Sequence, residues 1–147
     1  LVPGQGQVFT IEGEKLSAGY HGLSHHGNDP DKIAEFNQVG KKQVTNFARF
    51  IRLLSEKKDS DGRPLLDTTA VFYGSGMGDA NTHNNSRLPV LLACGGYRHG
   101  AHHAIARDKE TNATPLLGDL FLTIMESMGI GQERFVKASR NMNDYLL

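Results

Sequence analysis

The sequence predicts an α/β protein in which a layered sheet is flanked by helices. Two observations favour this class: the predicted elements follow the order helix, strand, strand, helix, and both strands are continuous apolar runs of the kind found in buried sheets. With 147 residues, 38% apolar and 22% charged, the chain has the composition of a globular protein that can bury a core. We therefore expect residues 1–147 to form a single α/β domain or the C-terminal fragment of a larger one.

The two helices are predicted from their start signals and apolar spacing. Residues 29–31 (DPD) combine an N-cap aspartate, a proline at the first helical position and an acid in the first turn. Apolar side chains then recur at three-and-four spacing, which predicts one long amphipathic helix that ends near Lys57. A second helix is predicted to open at residues 114–115 and to stop at Gly129. A short strand or extended tail is expected at residues 134–136.

The strands are predicted from runs of β-branched, aromatic and apolar residues. A first candidate covers residues 7–12, and the two buried-type strands cover residues 68–73 (TTAVFY) and 88–93 (LPVLLA). Each of these two is followed directly by a polar, glycine-containing loop, at residues 74–87 and 95–103. Because α/β sheets bind ligands at the carboxyl ends of their strands, both loops are where a functional site is expected.

Charge and composition exclude several classes of partner. The 16 basic and 16 acidic residues balance, so there is no electrostatic surface for nucleic acid or an anionic membrane. No apolar run approaches the roughly 20 residues that a membrane span needs. The single cysteine, Cys94, rules out an internal disulfide and a cysteine-rich zinc motif. We predict that it is a small core residue rather than a reactive thiol.

The seven histidines fall into three groups, and each group lies in a predicted loop beside a helix start or a strand end. The groups are His21, His25 and His26; His83; and His99, His102 and His103. Histidine is the commonest metal ligand and the usual acid or base near neutral pH. Asp79 lies four residues before His83, after a predicted strand, and zinc or another divalent metal accepts both residue types as ligands. The candidate metal ligands are therefore His21, His25, His26, Asp79 and His83.

Simpler interpretations stay open for the same residues. The group around His21 and Asp79 would also serve as a hydrogen-bonded structural cluster that fixes loops, and the histidines of residues 99–103 would also suit a solvated loop. Ser24 fits a turn-capping hydroxyl better than a nucleophile. Ser75 lies in GSGMG, which lacks the G-x-S-x-G pattern and the following helix of a serine hydrolase. The same glycines match a dinucleotide-binding fingerprint only weakly.

Three blocks of the sequence are similar to a known family. HGLSHHGNDPDKIAEFNQV, DGRPLLDTTAVFYGSGMGDANTHNNSRLPVLLACGG and TPLLGDLFLTIMESMGI resemble, in this order, the C-terminal part of a bacterial exported family known only as a domain of unknown function. The resemblance covers roughly residues 15–130. The chain departs from the family pattern at Tyr20, where the family has a histidine, and at Arg87, where it has an asparagine.

That family is distantly similar to the alkaline phosphatase and sulfatase superfamily. The resemblance implies an α/β sheet whose strand ends present aspartates and histidines to two metals, usually zinc. It implies Asp79 and His83 as late metal ligands, and His21, His25 and His26 as candidates for the other metal. The superfamily takes its nucleophile from an early part of the fold, which the resemblance does not cover. Export signals in the family imply a periplasmic or extracellular location.

Two functions are expected on these grounds. The first is a metal-dependent hydrolase-like domain acting on phosphate or sulfate esters, in which bound metal activates water or stabilises the leaving oxyanion. Arg87 would hold the anionic group of such a small substrate through its planar fork, or it is a solvated loop arginine. The second is a non-catalytic, histidine-rich structural or binding module of an exported protein. Open sheet edges invite a second copy, so a homo-oligomer is compatible with both.

Overall fold

The computed structural model describes residues 6–107 and 113–146. Among these, the residues up to Leu66 together with Val71–Leu92 form one compact unit. Asp67–Ala70 and the residues from Ala93 onward form a second unit. The described residues make a small mixed α/β protein with two two-stranded sheets and one long helix. The layered, alkaline-phosphatase-like arrangement of a sheet between helices stays a prediction.

The first unit begins with a minimal hairpin. Strand β1 (Thr10–Ile11) pairs antiparallel with β2 (Glu14–Lys15). Between them, Glu12 and Gly13 have φ angles of 55° and 91°, as expected for a tight two-residue hairpin turn that needs left-handed backbone at both positions. The predicted strand at residues 7–12 is therefore present but shorter: it begins at Thr10, and this turn ends it after Ile11.

The long helix is confirmed almost to the residue. Helix α2 spans Pro30–Glu56, and the side chain of Asp29 accepts hydrogen bonds from the backbone N–H groups of Asp31 and Lys32. These bonds satisfy two of the N–H groups that a helix start leaves without a helical partner. The helix ends where expected, since Lys57 is already extended, with a ψ of 144°.

A short helix that the sequence analysis did not predict precedes α2. Helix α1 spans Tyr20–Ser24, and its Leu23 is fully buried with Leu16 and Val39 in the core of the first unit. Full burial of one leucine side chain stabilises a protein by about 1.5–3 kcal/mol. The core contact with Val39 therefore holds α1 against α2 and fixes the orientation of the residues on its other face.

The second sheet pairs β3 (Val71–Gly74) with β4 (Val90–Ala93). A 3-10 helix at Leu65–Thr68 precedes it, so β3 starts three residues later than predicted. The prediction that both strands are buried is wrong: Phe72 is 38% exposed and Leu91 44%. Burial alternates along β3 and through the first half of β4, which is the pattern of a sheet packed on one face only.

The second unit contains the other predicted helix. Helix α3 spans Leu117–Ser127, within the predicted bounds. The buried carboxylate of Asp119 accepts the backbone N–H of Leu116 at 2.8 Å, and its oxygen lies 3.7 Å from the guanidinium of Arg140. Gly129, which was predicted to end the helix, has a φ of 77°, and glycine takes this conformation without steric cost.

The C-terminal segment is mostly irregular. At residues 134–136 the predicted strand is reduced to one isolated bridge, in which Phe135 and Ala138 exchange backbone hydrogen bonds of 3.0 and 2.8 Å. A short helix α4 follows at Asn143–Leu146. Across residues 6–107 and 113–146, no helix is both long enough and apolar enough to cross a bilayer, in agreement with the sequence.

Candidate functional site

Three histidine rings from two distant segments of the first unit contact one another. The ring centroids of His21 and His25 are 4.7 Å apart, and those of His25 and His83 are also 4.7 Å apart. In both pairs the rings meet nearly edge to face, at 76° and 78°. We call His21, His25 and His83 the histidine cluster.

Helix α1 positions the first two rings. His21 lies in the helix and His25, four residues on, is its C-cap residue, so the end of the helix brings the two side chains close together. The carbonyl oxygen of His21 accepts the backbone N–H of His25 at 3.3 Å and the hydroxyl of Ser24 at 2.8 Å. Ser24 is buried and therefore acts as a local capping hydroxyl, as predicted, rather than as an accessible nucleophile.

A closed turn at residues 79–84 positions the third ring. Asp79 and Asn84 exchange backbone hydrogen bonds of 3.2 and 2.9 Å. The Asp79 carboxylate accepts the N–H of Asn81 through Oδ1 and the hydroxyl of Thr82 through Oδ2, at 2.9 and 2.8 Å. His83 lies inside this turn with a φ of 54°, a left-handed conformation that non-glycine residues adopt rarely. We call residues 79–84 the His83 turn.

Glycine is required at the entry to the His83 turn. A Cβ on Gly78 would lie 2.0 Å from the carbonyl oxygen of Ser86 and 3.0 Å from that of Arg87. By contrast, a Cβ on Gly76 would have no neighbouring atom within 4 Å. After strand β3 the chain continues mostly in turns and bends. At its start, Ser75 Oγ accepts the backbone N–H of Met77. This glycine-rich loop thus serves to fold the chain closely on itself.

One hydrogen bond joins the two histidine-bearing segments. The side-chain oxygen of Asn81 accepts the backbone N–H of Gly27 at 2.9 Å. On the same side, Nδ1 of His26 accepts the N–H of Asn28 at 3.1 Å, so His26 is turned toward its own backbone. Sequence reasoning did not select Asn81; its position in the Asp-x-Asn-x-His spacing at residues 79–83 was the available signal.

The electrostatics of the His83 turn favour an ionised carboxylate. The hydrogen bond from the Thr82 hydroxyl is the main cause that lowers the pKa of Asp79, with further lowering by the N–H groups of Asn81 and Thr82 and by His26. Partial desolvation opposes these contributions. The carboxylate therefore carries its negative charge at neutral pH, in the same turn as His83.

Two ring spacings in the histidine cluster suit a shared metal ion, but the side chains do not already form a metal site. With Zn–N bonds of about 2 Å and tetrahedral geometry, two imidazole centroids on one ion lie about 5 Å apart, close to the observed 4.7 Å. Within residues 6–107 and 113–146, however, no three His, Cys, Asp or Glu side chains are already arranged to hold a metal.

The remaining sequence candidates lie around this cluster. His26 and Asp79 make local hydrogen bonds, and neither is in the chain of ring contacts. Arg87 is exposed and has a φ of 54°, and the anion-binding role of its guanidinium stays a prediction. The structure thus brings together three of the five proposed metal ligands by direct ring contact.

The second histidine-rich loop, at residues 99–103, belongs to the other unit. His99 Nε2 donates to the carbonyl oxygen of Cys94 at 2.6 Å, and the ring of His103 meets that of Tyr145 edge to face at 6.0 Å. All three histidines of this loop are exposed, which agrees with a solvated loop. Cys94 is 5% exposed, which confirms the prediction of a small core residue.

Comparisons of this chain with models of protein families, with curated proteins and with solved structures found no match. The resemblance to the bacterial family and to the phosphatase and sulfatase superfamily stays a prediction from the motifs. Any proposal about function therefore depends on the geometry of the histidine cluster and the His83 turn.

Proposed function

We propose that this protein binds a divalent metal, such as zinc, through His21, His25 and His83, and that it is a metal-dependent hydrolase-like domain acting on phosphate or sulfate esters. The observation that supports this is the meeting of three imidazole rings from two separate segments. Histidine is the commonest metal ligand in proteins, and neighbouring imidazoles are suited to share one ion.

The exposure of the cluster suits a site that meets a substrate. His21 and His83 are exposed and His25 is half-buried, so an ion there would be reachable from solvent. Catalytic zinc sites commonly use three protein ligands and leave the fourth position open. When bound, such an ion supplies an activated water and a Lewis acid for the ester oxygen.

Charged residues of the adjoining loop have separate roles in this proposal. The ionised carboxylate of Asp79 offsets the positive charge that the site gains with a metal, or joins the ligands directly. Arg87, with its bidentate planar fork, binds the phosphate or sulfate group of the ester. A small anionic ester is therefore the substrate class.

A second candidate function is a non-catalytic, histidine-rich structural or binding module. The edge-to-face contacts at 76° and 78° favour it, because aromatic rings prefer this packing without any ligand. In that case the cluster stabilises the contact between α1 and the His83 turn.

The proposal is tested by titrating the wild type and His83→Asn with zinc and measuring the heat of binding by calorimetry. Asparagine tolerates the left-handed backbone of position 83, so the variant removes the ring with little added strain. We expect one zinc per wild-type chain and an affinity lower on the order of 100-fold in the variant, because losing a ligand costs at least as much as losing its supporting partner. The matched control, His102→Asn, should bind zinc as the wild type does.

Hydrolysis of p-nitrophenyl phosphate and p-nitrophenyl sulfate then separates the two functions. A hydrolase should lose turnover with a chelator and regain it with zinc. A metal-stapled module should lose only thermal stability with the chelator, and a metal-free structural cluster should lose neither. Equal zinc binding by His83→Asn and the wild type, or no zinc bound by the wild type, would refute the metal site.

A further inference from the structure

We propose that Asn81 is the positioning residue of the histidine cluster: its side-chain amide latches the His83 turn to the segment that carries His25. The proposal rests on the proposed function in so far as the cluster is a metal site. The latch is the hydrogen bond from the backbone N–H of Gly27 to Oδ1 of Asn81, at 2.9 Å, between residues far apart in the sequence.

The latch is at the same distance along the sequence from each of the two rings that it brings together. His25 is two residues before Gly27, and His83 is two residues after Asn81. A hydrogen bond that joins one end of each of these two three-residue segments restrains their separation. The contact of 4.7 Å between the rings of His25 and His83 is what such a restraint predicts.

Both ends of the latch are held in place. On one side, the backbone N–H of Asn81 donates to the Asp79 carboxylate at 2.9 Å, so the residue that carries the acceptor is fixed within the closed turn. On the other side, Gly27 and Asn28 have φ angles of 59° and 64°, and this left-handed pair leaves the Gly27 N–H outside the helix that follows. The hydrogen bond itself lies at the exposed surface, and Asn81 is half-buried.

The latch assigns Asn81 a role distinct from that of a ligand. Its amide oxygen is engaged with Gly27 and supports the ring positions through the backbone. Removing a partner that orients metal-binding side chains typically lowers metal affinity by about 10–100-fold. A residue that only stabilised the fold would instead change the stability and leave the affinity of the folded protein unaltered.

Three variants test this role in the whole chain. Asn81→Ala removes the acceptor, Asn81→Asp keeps an acceptor oxygen in the same place, and Asn85→Ala is the matched control in the same exposed loop. The first measurement is the nuclear Overhauser effect between the ring protons of His25 and His83 in metal-free protein. The second is the zinc affinity of each variant.

We expect Asn81→Ala to lose the ring-to-ring signal and to bind zinc about 10–100-fold more weakly, while Asn81→Asp and Asn85→Ala keep the signal. A ring-to-ring signal that persists in Asn81→Ala overturns the proposal. So does a zinc affinity that is unchanged in Asn81→Ala although the ring-to-ring signal is lost. If the wild type binds no zinc, the proposed metal site fails, and the ring-to-ring signal alone decides the latch.

Amide hydrogen exchange in the wild type provides a measurement that does not depend on a variant folding. The Gly27 N–H should exchange at least tenfold more slowly than in an unstructured peptide, since a hydrogen-bonded amide exchanges only when its bond opens. Exchange of the Gly27 amide at the unstructured rate would overturn the latch.

Discussion

The two histidine-rich regions of this protein have similar composition and different organisation. His21 and His25 contact each other and join His83 from a distant segment. In the other unit, His99 bonds to the carbonyl of Cys94, and His103 contacts Tyr145. In the first region the imidazole rings contact one another, while in the second region His99 and His103 each contact a different neighbour.

The difference lies in the backbone that carries the rings. Helix α1 and its C-cap residue hold His21 and His25 four residues apart, and a closed turn with a glycine entry holds His83. Residues 99–103 have neither element, and they form irregular chain with a single bend at Gly100. Local density of histidine in a sequence is therefore a weaker indicator of a site than the presence of an element that holds the rings in register.

Breaking the His83 turn should have the largest effect. Gly78→Ala places a Cβ 2.0 Å from the carbonyl oxygen of Ser86, and backbone atoms cannot yield as a flexible side chain can. We expect the free energy of unfolding to fall by about 2 kcal/mol or more, measured by urea denaturation, with loss of the contact between His25 and His83.

Gly76→Ala is the matched control for this change, because its added Cβ has no atom within 4 Å. We expect its effect to stay within about 0.5 kcal/mol. Equal stabilities for the two alanine variants would show that the close approach at Gly78 does not maintain the turn.

The second region should be distinguished by a protected thiol rather than by a metal. Burial is the main cause that raises the pKa of Cys94, and the negative charge of Asp67 raises it further. A raised pKa means less thiolate at a given pH, and the thiolate is the reactive form. We expect alkylation by iodoacetamide at pH 8 to be at least about tenfold slower in native than in urea-unfolded protein.

Asp67→Asn sharpens this test, since removing the charge lowers the pKa of the thiol and should modestly increase the native rate. The control is Asp61→Asn, whose carboxylate pairs with Arg63 and which should leave the rate unchanged. Native alkylation as fast as in the unfolded chain would contradict a buried Cys94.

The smallest expected effect concerns the pKa of Asp79 in the His83 turn. The Thr82 hydroxyl is the main cause that lowers the pKa of Asp79 below its ordinary value of 3.8. A depressed pKa contributes stability that is present above the ordinary value and is lost as the pH falls through the folded-state pKa. In metal-free Thr82→Ala we therefore expect the pKa of Asp79 to rise. We also expect this variant to lose less stability than the wild type as the pH falls through the folded-state pKa.

A titration of the Asp79 carboxyl carbon by nuclear magnetic resonance measures that pKa directly. Thr82→Ser retains a hydroxyl and should titrate close to the wild type. An Asp79 titration that is the same in Thr82→Ala as in the wild type would show that the Thr82 hydroxyl does not bind the carboxylate.

The helices show what local sequence signals can predict. Helix α2 begins as expected because its start signals, the Asp29 cap and Pro30 at the first position, act within one turn of the chain. The short helix α1 was missed, since its sequence YHGLS contains a glycine and no capping side chain. It is stabilised by the burial of Leu23 against Val39, which is a tertiary contact.

The strands show where such signals fail. The apolar runs correctly indicate β3 and β4 but not their exposure, because burial depends on which elements cover each face. Similarly, the sequence selects His21, His25 and His83 as candidates, but it cannot show that they meet or that His26 turns toward its own backbone. Asn81 was missed because its place in the Asp-x-Asn-x-His spacing does not identify its partner, and the Gly27 N–H that it accepts lies far away in the sequence.

The sequence by itself determined the α2 and α3 helices, the strands β3 and β4 and the loop that carries Asp79 and His83, because capping, apolar periodicity and turn residues act between near neighbours. Only the tertiary structure decided which of those residues share a site. Ring contacts, the Asn81 latch and the close approach at Gly78 join segments far apart in the chain. Such contacts depend on how the intervening elements pack, and no pattern within a single segment specifies that packing.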